Sequence, residues 1–94
     1  MPDPAVLQAL VAHGALREAD GRLGTTRRWQ AAMARAALRL LVQGAPDHDL
    51  RLPIAVALAE LFPSCSDTEL AERVEAMLPF VAGEVEPAAL PDAP

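Results

Sequence analysis

Residues 27–43, RRWQAAMARAALRLLVQ, contain neither glycine nor proline and no acidic side chain, and eleven of the seventeen are apolar. Ala, Leu, Met and Arg are strong helix formers, so this stretch reads as one uninterrupted helix. Thr25 or Thr26 can cap its start, and Gly44 with Pro46 just beyond marks its end. At 100° per residue, Trp29, Met33, Ala36 and Leu40 fall in one narrow stripe, while Arg28, Arg35 and Arg39 form a second about a quarter-turn away. Ala34, Ala37, Leu38, Leu41 and Val42 occupy the remaining faces. A helix this apolar all round is enclosed, either at the centre of its own domain or half-buried in a partner.

The rest of the chain agrees with a helical fold. Ala and Leu make up 34 of the 94 residues, against 11 Val, Ile and Thr. At this length one core is expected, over residues 1–82, with 83–94 as an acidic, proline-rich tail that frays or docks on a partner. Asp3-Pro4 opens a first helix over about residues 4–13, with Val6, Leu7, Leu10 and Val11 on its apolar face and Gly14 as its stop. Asp20-Gly21, flanked by Ala15–Glu18 and Arg22–Thr25, signals a small β-hairpin. Pro53 opens a helix of about residues 53–62, with Ile54, Ala57, Leu58 and Leu61 on one side. Ser66-Asp67-Thr68-Glu69 is a capping box, and its helix is expected to run to about Leu78, before Pro79. Leu70, Val74, Met77 and Leu78 should face inward there, and Glu72, Arg73 and Glu75 outward. The expectation is a mainly α, four-helix small domain with a short β-hairpin between helices one and two.

Charge divides the chain. Residues 1–43 sum to +3 and residues 44–94 to −8, giving the net −5. All eight cations are arginines, suited to bidentate pairing with carboxylate or phosphate. For Arg17, Arg22, Arg27 and Arg28, intramolecular or inter-subunit pairing with Glu72, Glu75 and the tail is the leading expectation.

Catalytic chemistry has little to work with. There is no Tyr or Lys, one Cys and two His, so nucleophile and base pairings reduce to Cys65 with His13 or His48. Cys65 lies between two serines at a helix start, where the amide dipole favours a thiolate; a small half-buried residue in a capping loop is the simpler reading. Asp47-His48-Asp49 offers three adjacent ligands whose side chains diverge, and the five glycines form no phosphate loop. The chain is therefore read as a non-enzyme without metal or cofactor. No apolar run approaches the roughly 20 residues that span a bilayer. Asp3 and Pro4 stand where a secretory signal would carry positive charge, so no membrane role and a cytoplasmic location are expected.

Two functional readings remain. The first is a protein-interaction or regulatory accessory module, a homo-oligomer or the partner of another protein, associating through residues 27–43 with Trp29, Met33, Leu38 and Leu41 as candidate contacts. The second starts from residues 13–26, HGALREADGRLGTT, which resemble the recognition-helix and wing portion of winged-helix domains. That resemblance implies nucleic-acid binding. The basic surface available for phosphates is Arg17, Arg22, Arg27, Arg28, Arg35 and Arg39, but the chain as a whole is acidic and this reading ranks second.

Overall fold

The computed structural model describes residues 3–44 and 49–82. Asp3 begins the order: its carboxylate accepts from the Ala5 amide at 2.9 Å, and Pro4 occupies the first turn of α1 (Pro4–Ala12). Gly14 ends this helix in the left-handed region at φ +81°. Its amide donates to Val11 and that of Ala15 reaches back to Leu10. This double closure satisfies two of the helix's last carbonyls and turns the chain sharply into β1 (Leu16–Ala19). Asp20 and Gly21, at φ +54° and +73°, form the two-residue turn whose twist suits a hairpin. They lead into β2 (Arg22–Thr25), antiparallel to β1 with Leu16 opposite Thr25 and Ala19 opposite Arg22.

Thr26 joins the hairpin to α2 (Arg27–Val42). Its hydroxyl accepts from the Trp29 amide at 3.0 Å and donates to the Gly14 carbonyl, while its own amide donates to Ala15. One buried threonine therefore caps α2 and fixes it to the end of α1. That orientation turns Trp29, Ala32 and Ala36 into the core, with Met33 and Leu40 half-buried beside them.

Asp49 starts α3 (Arg51–Leu61) by accepting from the Arg51 amide at 3.0 Å. The helix thus begins two residues before the position expected from Pro53. Pro53 instead sits in the first turn, where a missing N–H leaves no intrahelical bond unmade. Ser66 and Glu69 close the capping box of α4 (Asp67–Ala82): the Glu69 amide donates to Ser66 Oγ at 3.2 Å and the Ser66 amide to Glu69 Oε1 at 3.0 Å.

Two expectations for α4 are corrected. The helix continues through Pro79 to Ala82, and the proline's missing bond to Glu75 is tolerated because Leu78 before it and Phe80 and Val81 after it pack on the core. Arg73 is not an outward residue. Its side chain is 15% exposed and its guanidinium lies 4.6 Å from the centre of the Phe62 ring.

The elements form a small mainly α domain. α3 packs on both α2 and α4, α1 closes over α4, and the hairpin leans on α1 and α4. Leu10, Leu16, Ile54, Leu58 and Met77 are the largest fully buried side chains, drawn from α1, β1, α3 and α4 around one core. The expected tail, residues 83–94, and the Asp47-His48 part of the polar loop lie outside the described residues.

The two N-caps differ in burial and in the number of bonds their side chains make. Thr26→Ala is expected to lower the unfolding free energy by about 2 kcal/mol and Ser66→Ala by about 1 kcal/mol, the upper end and the middle of the usual range for cap removal. Urea titrations followed by Trp29 fluorescence measure both, and an equal loss in the two variants contradicts the central position given to Thr26.

Candidate interaction surface

The face of α2 opposite Trp29 is built from Ala31, Ala34, Leu38 and Leu41, all exposed. Leu38 is 63% exposed, Leu41 75% and Val42 80%, values unusual for large aliphatic side chains that sit together on one helix end. The sequence produces this surface because α2 has apolar residues on both sides while the Thr26 anchor can turn only one side inward. Eight residues separate α2 from α3, and Arg35 in the middle of α2 pairs with Glu60 near the end of α3, so Leu50 and Leu52 at the start of α3 lie toward the same end of the molecule as Val42. They are 46% and 40% exposed and widen the apolar area.

The candidate contact residues separate into two groups. Trp29 is 2% exposed and belongs to the core, with Met33 packed against it. Leu38 and Leu41 stand outside. The contacts expected from sequence leave out Ala31, Leu50 and Leu52; the signal for Ala31 is its place in the 3-4-3 spacing of Ala31, Ala34, Leu38 and Leu41, which runs along one side of a helix.

The arginines flank this face without forming one patch. Arg35 Nε donates to Glu60 Oε1 at 2.9 Å. Arg28 lays its side chain over Gly14, close enough that a Cβ there would stand 2.8 Å from Arg28 Cδ. Arg17, Arg22 and Arg27 each take part in an interaction within the molecule. Arg28, Arg35 and Arg39 are exposed along the edge of α2. Glu75, expected to serve the arginines of the first half, is instead bound by Arg51 at 2.8 Å.

Other chemistry-bearing residues are occupied structurally. His13 Nδ1 donates to the Leu61 carbonyl at 3.2 Å and its ring stacks on Phe62 at 4.2 Å, tying the end of α1 to the end of α3. Phe62 thus carries His13 and Arg73 together. Arg73 Nε, buried beside that ring, has no hydrogen-bond partner among the described residues. The Cys65 amide donates to the Phe62 carbonyl at 3.2 Å, and its side chain is half-buried against the core. His48 lies outside the described residues. An open groove of about 480 Å³ between α1 and the hairpin is lined by Leu7, Gln8, Val11, Glu18 and Leu23. Glu18 is the single ionisable group among these, so the groove has no pair of groups for acid–base work.

Among the described residues no three His, Cys, Asp or Glu side chains are grouped to hold a metal ion, and no helix is long and apolar enough to cross a membrane. No family profile, curated protein or solved structure matches the chain.

Two carboxylates are shifted by their partners. The hydrogen bond and charge of Arg51 hold Glu75 below the ordinary carboxylate range. The Ser66 amide, then its hydroxyl, do the same for Glu69. A carboxylate whose folded pKa is lowered stabilises the fold above its unfolded pKa, near 4.3, and loses that contribution as pH falls through the folded value. Both groups are exposed, so the effect is small. Between pH 6 and 3 the urea midpoint of Glu75→Gln is therefore expected to fall less steeply than that of the unsubstituted protein; parallel curves would show that the Arg51 pair adds nothing.

Proposed function

We propose that this protein is a non-catalytic protein-interaction or regulatory accessory module that self-associates through the outer face of α2. The observation that carries the reading is the exposure of Leu38, Leu41 and Val42 together on a helix whose opposite side already fills the core. Single exposed leucines are ordinary on protein surfaces; three on one helix end, extended by Leu50 and Leu52, form the kind of contiguous patch that marks association sites. The small side chains of Ala31 and Ala34 let a second helix approach closely along the same face. The shortage of convergent nucleophiles and bases favours binding over catalysis.

Leu41→Glu places a charge in the patch without touching the core. Light scattering across a concentration series is expected to give a rising mass for the unsubstituted protein and a monomer mass for Leu41→Glu and Leu38→Glu. Monomer masses throughout for all three would remove self-association.

A second reading has one observation in its favour. The hairpin of the winged-helix-like stretch does form, between α1 and the arginine-bearing start of α2, where Arg27 and Arg28 are exposed. Phosphate contacts of this kind weaken steeply with salt. Titration of a labelled duplex at low and moderate salt, with the unsubstituted protein and Arg27→Ala/Arg28→Ala, decides it: salt-sensitive binding lost in the variant supports nucleic-acid recognition, and no binding at low salt ends it.

A further inference from the structure

We infer that residues 83–94 cover the exposed apolar end of α2 and α3 in the same molecule, with Val85 on Leu50 and Leu52, Glu86 beside Arg39, and Leu90 on Val42 and Leu38. The inference goes beyond the self-association reading and holds without it. A segment seated there competes with a second copy for the same side chains.

α4 delivers the chain to this end. α3 and α4 are joined by residues 62–66, and Arg51 in the first turn of α3 holds Glu75 in the middle of α4 at 2.8 Å. Residues 76–82 therefore run on past the start of α3, and Ala82 stands toward the same end of the molecule as Leu50, Leu52 and Val42. The length of chain beyond Ala82 suits the distance. α3 packs on both α2 and α4, and packed helices lie about 8–10 Å apart, so about 20 Å separates the axes of α4 and α2. At about 3.4 Å per extended residue, Val85 reaches about 10 Å from Ala82, level with α3, and Leu90 about 27 Å, on α2.

The order of chemistry matches along that path. Leu50 and Leu52 come first, at the start of α3. Arg39 follows: it stands four residues after Arg35, which binds Glu60 of α3, so both lie on the side of α2 turned to α3. Val42 and Leu38 lie beyond, toward the outer face, 80% and 63% exposed. The surface thus reads apolar, basic, apolar, and Val85, Glu86 and Leu90 read apolar, acidic, apolar.

Charge supports the same occupant. At this end Glu75 is bound by Arg51, and the Asp49 carboxylate accepts from the Arg51 amide, whereas Arg39 has no acidic partner among the described residues. Residues 83–94 carry Glu84, Glu86 and Asp92 and no cationic side chain. Pro87, Pro91 and Pro94 have no amide N–H, so fewer backbone donors lose water when this segment lies on aliphatic side chains. A contact this small is too weak to hold a separate molecule, but a tether of this length presents the segment at an effective concentration in the millimolar range.

Disulfide trapping in the full chain tests the placement. In a Cys65→Ser background, Leu90→Cys is paired either with Val42→Cys or with Val11→Cys, the latter in the groove between α1 and the hairpin. Under mild oxidation at low protein concentration the Val42→Cys pair is expected to close within one chain, read as a monomer mass without reductant, roughly tenfold or more faster than the Val11→Cys pair. Adding Arg39→Glu is expected to slow that closure several-fold, and adding Glu86→Arg as well to restore it. Equal rates for the two pairs, or faster closure at Val11→Cys, overturn the inference. A disulfide formed only between chains also overturns it and puts the segment on a second copy. A rate unmoved by Arg39→Glu overturns the contact between Glu86 and Arg39.

Discussion

The Thr26 hydroxyl holds the arrangement together. It donates to the Gly14 carbonyl and accepts from the Trp29 amide, so the end of α1 and the start of α2 share one side chain. Both groups belong to helix termini, whose backbone donors and acceptors have no partner within their own helix and cost free energy if buried unpaired. Gly14 makes the approach possible, since its left-handed conformation turns its carbonyl toward Thr26 and its missing side chain leaves room for Arg28. Once this contact is made, the rotation of α2 about its axis is set. Trp29 goes inward, and Leu38, nine residues on and half a turn away, goes outward.

Features decided within a few residues were legible in the sequence. Asp3-Pro4, Asp20-Gly21, the Thr26 cap on the Trp29 amide, Gly44 and the Ser66–Glu69 box each satisfy or redirect backbone groups by chemistry that needs no distant partner, and each stands where its residues imply. The features that sequence patterning misplaced depend on distant contacts. Pro79 stays inside α4 because Phe80 and Val81 gain burial against the core, and nothing local announces that gain. Arg73 turns inward because the face of Phe62, from the connection before α4, offers a favourable surface to a guanidinium. Glu75 takes Arg51 because antiparallel packing of α3 and α4 brings them together.

The candidate surface was half legible for the same reason. Composition shows that α2 is apolar on more faces than one core can absorb, which is why Trp29 and Leu41 look equally suited to a partner. Their roles diverge only when tertiary contacts choose a side: Trp29 becomes 2% exposed and Leu41 75%. The arginines add no comparable ambiguity on the page of the sequence, yet Arg35 and Arg51 are taken up by acids 25 and 24 residues away. What reads as a basic half facing an acidic half is partly resolved inside one molecule.

That internal pairing bears on how strong any association can be. Exposed ion pairs such as Arg35–Glu60 contribute at most about 1 kcal/mol, so charge would orient the proposed partner more than hold it. The holding force is left to aliphatic burial. A fully buried Leu or Val is worth about 1.5–3 kcal/mol over an exposed one, and each copy presents Leu38, Leu41 and Val42 only partly available for burial. The loss of translational and rotational freedom on association is about 4–15 kcal/mol, the same size as that gain. On the proposed self-association, a surface balanced in this way would assemble when copies are concentrated and separate when they are diluted. Reversible association of that strength would suit the proposed regulatory accessory role better than a permanent structural one, because its occupancy would follow the amount of protein present.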